Sequence, residues 1–466
     1  MNMIARERFA DYGAVFVFLA SFGIYLWTLT PTVGLHDSGD MITSSYVLGI
    51  PHPPGYPLYM LIGKIWMTVI PIGNVAFRMN MQSAFFASLA VMMVYLIILK
   101  LSISNYQLTI TRMVPAVVAS LIFAFSTTFW EQAVIAEKYT LNAFFFSLLI
   151  FILLKWQETQ NSKLKTQNYL YLFAFILGLS FTHHFQTIYI VPGALFFLFS
   201  HGLTRIRSHR DISHRGHREH RGKNHSKILN AKFAICIVLF LLPLFLYAYL
   251  PIRASTHPPL NWGCPDTPAR FVEHITAKSY QGNMGSFIPS LKSRFILHLN
   301  FFTSQFNIWF IPAGLFGFIF LLVKRPRFGV FLLLMAITNL LLAIRYDISN
   351  IEDYYLPSFL LFSILIGYFI HFLLFTLHSL LSRLIPNPYS LIPKTAPCLF
   401  FLFLPILQCN AHYYSSDHSD HYIAYDHSRN VLKYIRQRAV IFLEGDENFP
   451  CWYTHYIERQ ESDAVI

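Results

Sequence analysis

The chain has 466 residues, of which 55% are hydrophobic, 17% aromatic and only 12% charged. Soluble domains carry about 25% charged residues, so an ordinary soluble fold is excluded and a polytopic helical membrane protein is expected. The net charge of +12 does not mark a nucleic-acid binder: nine cations crowd into 205–232, between two apolar segments, against only Asp211 and Glu219, which is the pattern of a cytosolic loop.

Apolar segments with sensible ends fall near 14–30, 56–71, 80–100, 113–130, 138–155, 168–182, 186–200, 233–250, 306–323, 328–344, 354–376 and 393–408. The first has no convincing cleavage site after it and reads as a retained helix with a cytosolic N-terminus. Counting all twelve as spans would put Lys155, Lys163, Lys165 and the basic 201–232 loop outside, against the orientation preference. Dropping one early span repairs the map. The segment 56–71 is short, begins with Gly55-Tyr56-Pro57, contains Gly63 and Lys64 and ends at Pro71, so it reads as a surface or re-entrant helix. About eleven transmembrane helices remain.

On this map 1–408 is the membrane domain, with a first outer loop at 31–79, a basic cytosolic loop at 201–232 and a large outer loop at 251–305. The low-complexity 208–225 tract is rich in histidine, but its irregular spacing fits a solvated insert better than a metal site. Lysine and arginine collect on the inner loops, and carboxylates and histidines at the outer helix ends, an asymmetry expected of an enzyme working outside. After position 408 the chain turns polar. A helix at 422–438, a buried strand at 439–443 and a helix at 448–458 predict a small α/β tail over 409–466, either incomplete or docked on the membrane part. Five cysteines lack metal-type spacing; a Cys409–Cys451 bridge is conceivable, and unpaired thiols are the plainer expectation.

The densest chemistry lies at 35–59, L-H-D-S-G-D-M-I-T-S-S-Y-V-L-G-I-P-H-P-P-G-Y-P-L-Y. Asp37 and Asp40 stand at the start of a predicted helix, where carboxylates serve as caps, as a general base or as ligands for a divalent ion. The prolines and Gly55 favour the chemical readings, because rigid non-helical backbone at membrane depth is tolerated where it lines a cavity.

This block resembles the signature of the transmembrane protein 260-like family of protein O-mannosyltransferases, in the GT-C glycosyltransferase superfamily. W-E-Q-A-V-I-A-E-K-Y-T-L-N at 130–142, G-L-S-F-T-H-H at 178–184, Y-L-P-I-R-A at 249–254, N-W-G at 261–263 and the tail S-D-H-Y-I-A-Y-D with E-G-D follow in matching order. The family pattern carries Glu where this chain has Asp40. The resemblance implies a GT-C-like, all-α membrane fold with surface helices in the first outer loop. It also implies transfer of a sugar, mannose in the family, from a polyprenyl- or dolichyl-phosphate donor to a hydroxyl, chiefly protein Ser/Thr, on the outer or luminal face. Asp37 would then be the base and Asp40 its partner. Arg253 is the expected phosphate cation, with snorkelling at the interface as the alternative. His52, Trp262, His183 and His184 are candidate substrate or positioning groups, the two adjacent histidines serving equally as structural residues. Glu137 with Lys138 forms an orienting pair or a helix-start ion pair, and Glu352 with Asp353 binds substrate or caps the next span.

The implied partners are the lipid-phosphate sugar, an acceptor protein or glycan and the bilayer, with no nucleic acid. No cofactor is firmly indicated, and a divalent metal is admitted by D-x-x-D without being favoured. No N-x-S/T sequon falls on the predicted outer face, which leans towards a bacterial inner membrane, with the endoplasmic reticulum as the eukaryotic counterpart. The competing class is a transporter or lipid flippase, for which internal repeats and charges near the bilayer midplane would be expected; neither is evident.

Overall fold

In the computed structural model the described residues are 3–102, 110–159, 163–212, 219–285, 287–384, 391–435, 439–443 and 445–458. The heart of the basic loop, 213–218, lies outside them, as does 436–438, the end of the first predicted tail helix. Among the described residues nineteen α-helices follow one another: α1 Met3–Trp27, α2 Ser38–Val47, α3 Pro57–Val69, α4 Val75–Leu101, α5 Ile110–Ala124, α6 Thr127–Val134, α7 Tyr139–Glu158, α8 Lys163–Phe181, α9 Val191–Ile212, α10 Glu219–Leu244, α11 Tyr249–Ala254, α12 Pro268–Ile275, α13 Phe287–Gln305, α14 Phe310–Lys324, α15 Pro326–Ala343, α16 Leu356–Leu384, α17 Leu391–Ser416, α18 Ile423–Lys433 and α19 Asn448–Tyr456. Among the described residues there is no β-strand, only isolated bridges such as Ile50 with Asn261.

Among the described residues six helical stretches are long and apolar enough to cross a bilayer, and two bent pairs, α5 with α6 and the described part of α13 with α14, raise the number to eight. Three further segments expected to span, at 14–30, 168–182 and 186–200, are also helical but fall short of that length or apolarity. The excluded segment forms α3, 13 residues long, or about 20 Å at 1.5 Å per residue, too short for a ~30 Å hydrocarbon layer. α2 and α3 are therefore two short helices in the loop between α1 and α4.

The central layer packs α4 against α1, α5 and α7, with α16 closing the far side. The 67° bend between α5 and α6 frees carbonyls that apolar surroundings cannot satisfy. The Tyr25 hydroxyl donates to Ala124 O at 2.8 Å and His412 Nδ1 to Phe125 O at 2.7 Å. Trp130, on α6, donates Nε1–H to Thr28 Oγ1 at 2.9 Å. These bonds fix the bend and aim the α6–α7 connection, 135–138, at the loop that carries α2 and α3.

The tail departs from expectation. Residues 439–443 form no strand, and Val440 and Phe442 are 63% and 92% exposed. Val440 makes only an isolated bridge, and with no neighbouring strand among the described residues an apolar run of five residues has little to bury against. The tail is instead two helices, α18 and α19, and α19 packs on α2 with Tyr453 buried among Val33, Met41, Tyr56 and Tyr59. All five cysteines are free, so no Cys409–Cys451 bridge forms.

Candidate active site

Asn80, on α4, donates its amide to Thr30 O at 2.8 Å and Thr32 O at 2.9 Å, holding the chain that leads into α2. Asp37 stands at the N-cap position of α2, yet its side chain makes no capping bond. The carboxylate turns instead to Lys138 Nζ, with His52 Nε2 3.6 Å from the same oxygen, Oδ2. Asp37 is the partly open member of this group, its side chain 30% exposed against 3% for Lys138.

The proline-rich stretch works as a hook. Gly55 has φ +95°, and a Cβ there would lie 2.8 Å from Leu250 Cδ2, so both the backbone and the space favour glycine. Tyr56 adopts the left-handed conformation and Pro57 starts α3, as suits a first helical residue. The hook carries His52 back onto α2. Its backbone N–H and Nδ1–H both donate to Asp40 Oδ2, at 3.0 and 2.7 Å, and Ser44 Oγ donates to Asp40 Oδ1 at 2.8 Å. Asp40 is fully buried. Both its oxygens are engaged, so it reaches the cavity only through His52. The His52 Nε2 then meets Tyr56 Oη at 3.0 Å.

Lys138 is delivered by the bend. The Glu137 N–H donates to Ser83 Oγ at 3.2 Å, and His183 Nε2–H to Lys138 O at 2.8 Å. The ammonium also donates to Glu137 Oε2 at 3.2 Å and sits 4.9 Å from the ring centre of Tyr139 and 5.6 Å from that of Tyr56. Burial opposes ionisation of Asp37, but the charges of Lys138 and His52 overcome it and hold the carboxyl well below the usual range. For His52 burial again works against charge, and Asp37 and Asp40 prevail, raising its pKa. Lys138 is lifted further by Asp37 and Glu137 despite burial. Glu137 moves the other way, raised by burial. The group is a carboxylate held ionised by Lys138, with His52 beside the same oxygen.

A cavity of about 700 Å³ opens over it, lined among others by Asp37, His52, Tyr56, Lys138, Tyr139, His184, Trp262, Tyr280, Tyr346, Asp353 and Tyr354. Of the residues singled out in the sequence, Asp37, His52, Glu137, Lys138, His184, Trp262 and Asp353 line it. His183 lies beneath, stacked on Tyr59 and tilted against Phe145, and burial pushes its pKa down to about 3. His184 stacks on Tyr56 and accepts Gln186 N–H at Nδ1, 3.1 Å away. Asp353 accepts from Gln132 Nε2 at 3.0 Å, while Glu352 is outside the lining. Arg253 is placed elsewhere: its guanidinium donates to Leu48 O at 2.6 Å and Val47 O at 3.3 Å, closing the C-terminus of α2, and it does not line the cavity. The cation beside Asp37 is Lys138.

Sequence reasoning missed the tyrosine wall. Tyr56 and Tyr139 sit inside G-Y-P and E-K-Y, next to residues already marked, so adjacency was the available signal. Tyr280 and Tyr346 carry none. Among the described residues no group of three or more His, Cys, Asp or Glu is arranged to hold a metal ion.

The fold is similar to that of two solved structures. ArnT from Cupriavidus metallidurans, bound to undecaprenyl phosphate, superposes with TM-score 0.59 at 12% identity over 97% of this chain and 85% of that one. The oligosaccharyltransferase of Archaeoglobus fulgidus gives 0.55 at 13% over 97% of this chain and 64% of that one. The fold class is therefore GT-C, in a multi-pass membrane protein. Residues 37–206, which begin at Asp37, match the family described as the protein O-mannosyl-transferase TMEM260 N-terminal domain. The Mus musculus protein O-mannosyl-transferase TMEM260 is 27% identical over 273 residues, 58% of this chain and 34% of that protein. The Dictyostelium discoideum counterpart is 24% identical over 331 residues, 66% and 36%. The match to that family covers residues 37–206, and the chain spans about a third of the length of these curated relatives. Both relatives are eukaryotic, which leaves the bacterial inner membrane expected from the sequence without support.

Proposed function

We propose that the chain is an inverting GT-C glycosyltransferase that moves a sugar, mannose by analogy with the relatives' names, from a polyprenyl-phosphate donor to a hydroxyl of protein Ser or Thr. The observation that carries this reading is the ionised Asp37 carboxylate between Lys138 and His52, half open to a cavity large enough for a sugar and its phosphate. The acceptor oxygen attacks the anomeric carbon from the face opposite the phosphate. The new C–O bond forms as the old one breaks, its electron pair leaves with the lipid phosphate, and the acceptor proton passes to Asp37. A weak base suffices, because the hydroxyl becomes strongly acidic only as the bond forms. Lys138 and His52 balance the phosphate charge that develops in a low-dielectric cavity, and Asp40 positions His52. No step requires a metal, and Asp40 is committed to His52 and Ser44. The membrane domain, 1–408, carries this chemistry and 409–466 docks on its outer side.

Phe185, Ile188, Leu342 and Ile348 give the cavity an apolar side suited to the donor's lipid. A transporter would place its charged groups near the midplane between repeats; here they gather in loops and at helix ends. The test is stereochemical. Purified protein given dolichyl-phosphate mannose and a Ser/Thr peptide should yield a glycopeptide whose anomer is opposite to that of the donor. Retention of configuration, or movement of the lipid across vesicles without transfer, overturns the proposal.

A further inference from the structure

The tail meets the active site at one residue that admits nothing larger than hydrogen. Gly39 lies between Asp37 and Asp40, buried in the first turn of α2. A Cβ on it would come within 2.2 Å of Phe449 O, 2.3 Å of Phe449 C and 2.8 Å of Pro450 N. These are backbone atoms of α19, so no side-chain rotation relieves the clash. Around this notch the contact is aromatic. Trp262 is 6.2 Å from His52, 6.1 Å from Phe449 and 5.9 Å from Trp452, centre to centre. One indole thus touches both the histidine of the site and the docked helix. Beside the notch, Asp446, Asn448 and Phe449 line the same cavity as Asp37. The tail's share of the lining includes charged and amide groups, in contrast to the apolar side at Phe185, Ile188, Leu342 and Ile348.

We infer that the segment 445–449 is the acceptor-side wall of the cavity, seated on the catalytic helix through the Gly39 notch, and that it positions the acceptor hydroxyl at Asp37. This rests on the transferase reading above. The lipid-linked sugar has an apolar side to lie against, and a peptide needs the polar side. A wall keyed to the backbone between the two aspartates ties acceptor binding to the geometry of the base.

The test is Gly39→Ala in the full chain, with Trp452→Ala as a second variant outside the cavity. Alanine is the better helix former, so α2 itself is not weakened and the added methyl acts on the tail. Limited proteolysis should cut the tail at least fivefold faster in both variants. With dolichyl-phosphate mannose and a Ser/Thr peptide, KM for the peptide should rise about tenfold, while KM for the donor stays within twofold. Trp452 packs against Trp262 and Phe449, and its substitution leaves the residues of α2 unchanged, so a shared rise in peptide KM separates wall loss from a displaced Asp37. A loosened tail with unchanged peptide KM overturns the inference, and so does a tail that neither variant loosens. If the wild type transfers to no peptide, the transferase reading fails first, and the acceptor wall falls with it.

Discussion

Replacing Lys138 by methionine removes the cation that keeps Asp37 ionised and leaves a side chain of similar length. Lys138 is 3% exposed and Asp37 30%, so the pair is neither dry nor fully wet. Unit charges about 4 Å apart at an effective dielectric of 20 attract by about 4 kcal/mol. Halving this for the water that reaches Asp37 leaves about 2 kcal/mol, or roughly 1.5 units in the carboxyl's pKa. The sign follows from the direction of the native shift. Asp37 is depressed below its unfolded value, so its ion pair stabilises the fold above the unfolded pKa and the contribution is lost as pH falls through the folded one. Without Lys138, burial raises the carboxyl. The acid limb of the pH–rate profile should therefore move up by 1 to 2 units. kcat at neutral pH should drop about 100-fold, since the cation proposed to offset the leaving phosphate's charge is gone. Melting in detergent should show a stability loss that is largest near neutrality and shrinks towards acid. Lys138→Arg should keep the acid limb nearly in place. An acid limb that does not move in Lys138→Met refutes the assignment of Lys138 as the charge that holds Asp37.

Asp40→Asn keeps the shape of the buried contact but removes the charge that helps raise His52. A raised histidine contributes below its folded pKa and loses its charge as pH rises through it, so the basic limb of activity should shift to lower pH; an unmoved basic limb counts against the positioning role of Asp40. Arg253→Met removes both bonds to the C-terminal carbonyls of α2; stability should fall by about 2 kcal/mol with donor KM changed less than twofold, and a tenfold rise in donor KM would restore the phosphate role. Gly55→Ala imposes a side chain at φ +95° and 2.8 Å from Leu250; a cost of about 1–3 kcal/mol and loss of activity through a displaced His52 are expected, and a variant of native melting temperature would show that the hook is not strained by a Cβ.

The parts of the candidate site legible in the sequence were those where chemically distinctive residues are packed into local motifs. Asp37, His52, Lys138 and Trp262 sit in compact motifs, and the charge of the loops alone placed them on one side. The short α3 followed from the same charge map. What stayed hidden depended on long-range geometry. Asp37 and Asp40 look equivalent three positions apart, yet one faces the cavity and the other is sealed under His52, a difference made by the hook at 52–57. Arg253 has the chemistry of a phosphate ligand, and only the left-handed end of α2 at Leu48 shows why it is spent on carbonyls. The 439–443 run has strand composition, but strands need partners, and the residues that would pair with it are not on the page of local propensity. The bend between α5 and α6 carries no proline at the break; it is held by Tyr25 and His412, contacts from opposite ends of the chain.

The most direct test is Asp37→Asn assayed for mannose transfer from dolichyl-phosphate mannose to a Ser/Thr peptide, with donor affinity measured in parallel. Loss of a general base typically costs 10²–10⁴-fold. The account predicts a fall in kcat of at least about 100-fold, with donor affinity kept within a few-fold and a folded protein by melting. A folded Asp37→Asn variant that transfers at the wild-type rate would contradict it.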